Sequence, residues 1–187
     1  EVHRHWMATT HHLPLQEWYT DTTSQWTLDY PPLFAHLERV LALGAARIEP
    51  AILTLSPTAV MSPATLGYQR ATVVAADALL FVGARRFVRS HAERSGRTSP
   101  EPSAWHAFAL TAGSAGLLLV DHVHFQYNGM LVGILLLALA CMREGCELAA
   151  AALFALLLNM KHLFLFAAPL FFVQLLFCNR RFGGFSD

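Results

Sequence analysis

Residues 129–160 read GMLVGILLLALACMREGCELAAAALFALLLNM, two apolar runs separated by a short charged turn. Each run has the length of a helix. Three more apolar runs occupy residues 71–87, 104–120 and 163–178. We therefore predict an all-α fold with about five apolar helices over residues 70–187.

The overall composition favours a membrane protein. Of 187 residues, 55% are hydrophobic and 14% are charged, whereas soluble domains average roughly 45 to 50% and about 25%. The apolar runs are shorter than the about 20 residues that cross a bilayer, so their flanks must extend them. The 13 basic and 13 acidic residues leave no surplus positive charge for nucleic acid. We interpret the chain as part of a polytopic helical membrane protein, with buried helices of a soluble protein as the alternative.

Arginines between the first two runs predict the orientation. Five of them lie in residues 85–97, and basic residues accumulate in cytoplasmic loops. We therefore expect a cytoplasmic loop at 88–103. Alternation of the helices then places three regions together on the opposite side: the polar segment 1–69 with its amphipathic helices, the turn 121–128, and Lys161.

The first polar cluster on that side is Asp29-Tyr30-Pro31-Pro32. The prolines stiffen the chain and favour an extended Tyr30, so the Asp29 carboxylate stands on a rigid corner where it could bind sugar hydroxyls. The alternative is that Asp29 caps the helix that begins near Pro31.

The second cluster is the turn 121–128, which contains Asp121, His124, Gln126 and Tyr127. So many polar groups between two apolar runs indicate a binding site. Anchoring at the membrane interface is the alternative. A metal site is not favoured, because His122 and His124 would share a face only in an extended turn.

The third cluster is Lys161 with His162, which interrupts a long apolar region. A lysine there is costly unless it meets an anion, for which a phosphate headgroup is the natural candidate, or extends to an ordinary lipid surface. Asp77, inside the first apolar run, is expected to be structural, either facing the interior or pairing with Arg85 or Arg86.

Other residues of the polar segment carry weaker expectations. Its tryptophans suit the bilayer interface or stacking on sugars, with the interface preferred; they are Trp6, Trp18 and Trp26. Its paired histidines are expected at the surface; they are His3, His5, His11 and His12.

Five motifs, in this order, resemble the eukaryotic dolichyl-phosphate-glucose glucosyltransferases of asparagine-linked glycosylation. They are EVHRHW at 1–6, LP at 13–14 with WY at 18–19, LDYPP at 28–32, HFQYN at 124–128 and KH at 161–162. The residues around these motifs are more similar to the enzyme that adds the second glucose than to the one that adds the first. The resemblance implies a C-type glycosyltransferase (GT-C) fold in the endoplasmic reticulum membrane, with many spans and a lumenal active site.

The implied reaction moves glucose from dolichyl-phosphate glucose to Glc1Man9GlcNAc2-PP-dolichol, forming an α-1,3 bond with inversion. The membrane and these two lipid substrates are the implied partners, and no cofactor is implied. The candidate substrate-binding residues are Asp29, Tyr30, Asp121, His124, Gln126, Tyr127, Lys161 and His162. The general base is expected to be an Asp just before Glu1, absent from this chain, so the fragment itself is expected to be inactive.

Three alternatives remain at this point. One is the first-glucose enzyme of the same family. Another is a transporter segment in which Asp77, Asp121 and Lys161 line a polar path. The third is a catalytically inactive relative of these enzymes.

Overall fold

The computed structural model describes residues 1–94 and 102–182, and over these residues it is helical and contains no β-strand. The predicted all-α class is confirmed. The α-helices, in chain order, are α1 (Val2–His12), α2 (Pro32–Ile48), α3 (Pro63–Arg94), α4 (Pro102–Ala112), α5 (Ala115–Leu117), α6 (Asn128–Arg143), α7 (Glu147–Met160) and α8 (Ala168–Phe182). Short 3-10 turns lie at Leu15–Glu17, Pro50–Leu53 and His162–Ala167, and a π-helical turn lies at Leu118–Val123.

The polar segment folds around buried tryptophans, and the expectation that these residues lie at an interface is wrong for two of them. Trp6 and Trp18 are each only 3% exposed. The indole N–H of Trp6 donates to the carbonyl oxygens of Trp26 and Thr27, both at 3.1 Å, and that of Trp18 donates to Leu13 at 3.0 Å. Trp6 lies between α1 and α2, and Trp18 lies against α2, so neither ring has a free face for stacking on a sugar.

Helix α3 is longer than the apolar run that predicted it. It begins at Pro63, where proline is tolerated in the first turn, and it continues through Arg94. The predicted loop at 88–103 is therefore helical up to Arg94, because no glycine or proline occurs between Gly83 and Gly96. Residues 95–101 of this loop lie outside the described ranges. Within the two described ranges, no helix combines the length and the apolar character needed to cross a bilayer.

Two other predicted helices are interrupted. In the run 104–120, α4 ends at Ala112 before Gly113, and the chain continues as short turns. In the run 163–178, a 3-10 turn precedes α8, which begins one residue before Pro169. Proline lacks an N–H donor and so fits the first turn of a helix better than its interior.

Helices α3 and α6 form the closest contact of the fold and run parallel to each other. At one end, the Thr72 and Tyr127 hydroxyls are 2.9 Å apart, and at the other Arg86 Nη2 donates to Glu144 Oε2 at 2.6 Å. We call these the Tyr127 end and the Glu144 end. The predicted alternation requires this parallel pairing, since both helices should start on the same side.

Glycines allow this contact. A methyl group on Gly83 would lie 2.2 Å from the carbonyl oxygen of Gly133, and one on Gly133 would lie 2.3 Å from that of Leu79. Small residues allow helix backbones to approach this closely, as they do in many membrane proteins. The glycine crossing therefore fixes the position of α6 along α3.

Candidate functional site

An unusual turn brings polar groups to the Tyr127 end. The π-helical turn buries Asp121, which is only 1% exposed. Phe125 then adopts a φ of 56°, in the left-handed region that bulky residues rarely occupy. The chain reverses there and enters α6 at Asn128. The first residues of the predicted turn 121–128 are thus helical, and π-helical turns are frequent at functional sites.

Asp121 caps helix α6 from seven residues upstream. Its Oδ1 accepts the backbone N–H of Asn128 at 3.1 Å and the side-chain Nδ2 of Asn128 at 2.9 Å. Its Oδ2 accepts the backbone N–H of Gly129 at 2.5 Å. Gln126 Oε1 takes a further hydrogen bond from Asn128 Nδ2, at 2.9 Å. A carboxylate at a helix N-terminus is stabilised by the unpaired N–H groups there, so Asp121 orders Asn128 and the start of α6.

Lys161 reaches this cluster from the end of α7. The helix stops at Met160, and Lys161 is extended, with φ −155° and ψ 109°. Its Nζ donates to Asn128 Oδ1 at 2.8 Å and lies 5.2 Å from the centre of the Tyr30 ring. No carboxylate among the described residues forms an ion pair with this half-buried ammonium group. The charge of Lys161 therefore remains available to an anion.

Aromatic rings connect the polar segment to the lysine. Tyr30 contacts Trp6 and Phe34, with ring centroids 5.1 and 4.7 Å apart. Phe34 in turn contacts Tyr127, at 6.0 Å. The extended corner at residues 29–32 and the turn at 121–128 thus meet next to Lys161. Five of the predicted site residues lie together here: Tyr30, Asp121, Gln126, Tyr127 and Lys161.

A buried acid and imidazole lie behind these rings. His3 Nδ1 is 2.6 Å from Glu38 Oε1, and the His3 ring packs against Tyr127. Burial raises the pKa of Glu38, while the nearby His3 opposes that shift. The other oxygen of Glu38 has no hydrogen-bond partner. The free energy of burying this carboxyl is therefore only partly offset.

The expectation that the first two histidines lie at the surface is wrong, since both are buried, His3 against α2 and His5 against the segment that connects α1 to α2. His5 Nε2 is 3.3 Å from Asp21 Oδ2. Burial lowers the pKa of His5, and the Asp21 carboxylate opposes this effect. The helical periodicity of α1 predicts the burial of His3, because His3 lies three residues before the buried Trp6 and therefore on the same face of the helix.

Asp77, for which the sequence predicts a structural role, either facing the interior or pairing with an arginine, lies beside the site. Its Oδ2 lies 2.8 Å from His122 Nε2, whereas Arg86 pairs with Glu144. The proposed pairing with an arginine is therefore wrong, and the alternative, that Asp77 faces the interior, agrees with the structure. A methyl group on Gly129 would lie 3.0 Å from Asp77 Oδ1 and 3.2 Å from Asp121 Oδ2. Glycine at that position allows both carboxylates to approach the start of α6.

Three predicted residues adjoin the cluster without contributing to it. Asp29, His124 and His162 are exposed and make no hydrogen bond or ion pair to the described part of the chain. Asp29 does not cap α2, whose N-cap is Pro31 with no side-chain bond. The two prolines extend the chain, so the carboxylate stays two residues away from the cap position. Binding of substrate by these three residues remains a prediction.

The described side chains offer no evident metal site, since no three of the His, Cys, Asp and Glu residues in those ranges are grouped to hold an ion.

Comparison with known proteins gives one family. The sequence profile described as "ALG6, ALG8 glycosyltransferase family" matches residues 1–182. A protein of Arabidopsis thaliana is 46% identical over 178 residues, which is 94% of this chain and 33% of that protein. Proteins of Neurospora crassa and Mus musculus are 43% and 41% identical, and each alignment covers 94% of this chain and 34% of the relative. All three relatives are named "Dolichyl pyrophosphate Glc1Man9GlcNAc2 alpha-1,3-glucosyltransferase". The chain spans about a third of the length of these relatives.

Proposed function

The chain belongs to the ALG6, ALG8 glycosyltransferase family, and on that premise we propose that the full-length protein is an α-1,3-glucosyltransferase of the endoplasmic reticulum membrane. Its acceptor is the dolichyl-diphosphate oligosaccharide Glc1Man9GlcNAc2, as in the names of the relatives. Its donor is dolichyl-phosphate glucose, and the transfer inverts the anomeric carbon. The reaction needs no cofactor beyond this donor.

The observation on which the proposal depends is that the Lys161 ammonium group contacts only uncharged groups, the Asn128 amide oxygen and the Tyr30 ring, among the described residues. When the bond between glucose and phosphate breaks, negative charge grows on the phosphate oxygens. A fixed cation that contacts those oxygens stabilises the transition state more than the ground state, and only such differential stabilisation accelerates the chemical step. Phosphate is already a good leaving group, so no general acid is required.

The acceptor hydroxyl must lose a proton as it attacks, and a carboxylate is the usual base. We expect this base just before Glu1. The exposed Asp29, His124 and His162 side chains adjoin the cluster in sequence and are free to bind sugar hydroxyls. We propose that they bind the sugars while Lys161 binds the phosphate.

We propose that the full-length protein has a GT-C fold with many spans and a lumenal site, and the arrangement of the described helices supports the choice of the lumenal end. Lys161 and the start of α6 lie at the Tyr127 end, and the arginine-rich end of α3 lies at the opposite, Glu144 end. Because basic residues favour the cytoplasmic side, we assign the Tyr127 end to the lumen. That side is where the sugar of a lumenal donor would meet the lysine.

Complementation tests this proposal. The complete gene is expressed in cells that lack the second glucosylation step, and their lipid-linked oligosaccharides are separated by size. We expect the gene to convert Glc1Man9GlcNAc2 to the diglucosylated form, and Lys161→Ala to slow this conversion strongly while leaving a measurable residual rate. Asn159→Ala is the matched control, because this exposed residue of α7 donates only to a carbonyl of its own helix. If Glc1Man9GlcNAc2 stays unchanged in cells that express the parent gene, the proposed acceptor is wrong. Rescue of cells that lack the first glucosylation step would indicate that the protein is the first-glucose enzyme of the family.

A further inference from the structure

Asn128 is the one direct hydrogen-bond acceptor of the Lys161 ammonium group among the described residues. Its carboxamide is engaged on both sides. Nδ2 donates to Asp121 Oδ1 and to Gln126 Oε1, each at 2.9 Å, while Oδ1 accepts from Lys161 at 2.8 Å. In the sequence, Asn128 belongs to the turn at 121–128 and to the HFQYN motif, without an individual role.

These bonds fix the orientation of the amide. A carboxamide has two N–H donors on its nitrogen and two acceptor sites on its oxygen. Asp121 and Gln126 both present acceptor oxygens, so the nitrogen must face them and the oxygen must face Lys161. If the amide were flipped, its oxygen would lie against the Asp121 carboxylate and its N–H donors against the ammonium group. Both contacts would be repulsive, and the flipped state is therefore disfavoured.

The chemical character of the acceptor also matters. A carboxylate in place of Asn128 would hold the lysine but would neutralise its charge. A neutral oxygen holds one of the three ammonium N–H groups and leaves the full positive charge, with the remaining donors free for a phosphate. The buried charge of Asp121 acts on Asn128 through the amide nitrogen and forms no ion pair with Lys161.

We propose that Asn128 is a positioning residue that holds the Lys161 ammonium group in the orientation that binds the phosphate of the lipid-phosphate sugar donor. Asp121 and Gln126 support it by fixing the carboxamide. This inference rests on the proposed role of Lys161 and adds a residue that acts on the donor only through that lysine.

A double-mutant cycle tests the inference. The full-length protein is purified, and kcat and KM for a short-chain polyprenyl-phosphate glucose are measured at saturating acceptor. A hydrogen bond to a charged group contributes enough that we expect Asn128→Ala to raise the donor KM by about tenfold. Asn128→Asp should raise it further, because its carboxylate would pair with Lys161 and repel both Asp121 and the donor. Asn159→Ala should leave KM at the parent value.

The decisive comparison is made in the Lys161→Ala background. If Asn128 acts through the lysine, Asn128→Ala changes KM there by less than about twofold, because coupled residues are non-additive. An equal increase in both backgrounds would show a merely structural role and overturn the inference. Should Asn128→Ala fail to fold, Gln126→Ala gives the same comparison, with an expected rise of about threefold in the parent only.

Failure of the inference is distinguishable from failure of the proposed function. A raised donor KM in Lys161→Ala together with a parent-like KM in Asn128→Ala would reject the role of Asn128 alone. A parent-like KM in Lys161→Ala would reject the phosphate site itself, and with it the inference.

Discussion

Replacing Gly133 by alanine places a methyl group inside the backbone of α3. The added carbon would lie 2.3 Å from the Leu79 carbonyl oxygen, 2.5 Å from its carbonyl carbon and 2.6 Å from the Leu80 nitrogen. Ordinary contacts between such atoms begin above roughly 3.3 Å, so α6 must move by about 1 Å relative to α3. No flexible side chain can move aside, because all three contacting atoms belong to the backbone.

The change in the free energy of unfolding caused by Gly133→Ala is the sum of two opposing effects. Overpacking of a tight contact costs about 1 to 3 kcal/mol, and the backbone contact here places this change at the upper end. Alanine recovers about 1 kcal/mol of helix propensity relative to glycine. We therefore expect a net loss of about 2 kcal/mol in the free energy of unfolding.

Gly67 provides a matched control within α3. It is exposed, and a methyl group there would meet nothing within 4 Å. Gly67→Ala should therefore gain only the helix-propensity contribution, about 1 kcal/mol or less. Thermal unfolding of the purified full-length protein should give a lower Tm for Gly133→Ala and an unchanged or higher Tm for Gly67→Ala. Equal Tm values for the two variants would refute the close glycine crossing.

Two further predictions concern the polar segment. Arg4 is fully buried; its Nη1 donates to the carbonyl oxygens of both Ile52 and Thr54, at 2.9 and 2.7 Å, and its Nε donates to Glu1. Lysine has a single side-chain nitrogen and cannot replace Nη1 and Nε together, so Arg4→Lys should lower the Tm, whereas Arg47→Lys on the exposed face of α2 should not. Equal Tm values for these two variants would contradict this role of Arg4. For Glu38, burial raises the pKa of the carboxyl above its ordinary value of 4.5, so its contribution to stability is full below about pH 4.5 and is lost as the pH rises through the folded pKa. Glu38→Gln removes this titration and can keep a hydrogen bond to His3. The Tm of the variant minus the Tm of the parent should therefore increase from pH 4 to pH 7. A Tm difference that stays constant over this range would contradict the raised pKa of Glu38.

The sequence predicts that the corner at residues 28–32, the turn at 121–128 and Lys161 lie at the same end of the helices, because helix alternation and the arginine cluster determine which ends coincide. The contacts of Lys161 with Asn128 and with the Tyr30 ring agree with this prediction. The contact partners were harder to predict. For Asp77 the sequence predicts a structural role, either facing the interior or pairing with an arginine of its own helix. Its partner is His122, which is 45 residues away and brought close by the π-helical turn.

Features that depend on tertiary packing could not be predicted from the sequence. Gly83 and Gly133 each lie in an apolar run, and nothing in those runs predicts that the two backbones are in contact. Trp6 and Trp18 were assigned by their general preference for interfaces, whereas the α1 and α2 contact buries them. The orientation of the Asn128 amide depends on three partners at once, so it becomes visible only when the turn and α7 are placed together.

The central claim is that the Lys161 ammonium group binds the phosphate of the donor lipid. The most direct measurement is equilibrium binding of a short-chain polyprenyl-phosphate glucose to the full-length protein, compared among the parent, Lys161→Arg and Lys161→Ala. Losing a charge-assisted contact should weaken binding by roughly 30-fold or more in Lys161→Ala, while Lys161→Arg, which keeps the positive charge, should retain part of the affinity. Equal affinities of the parent and Lys161→Ala would contradict the claim.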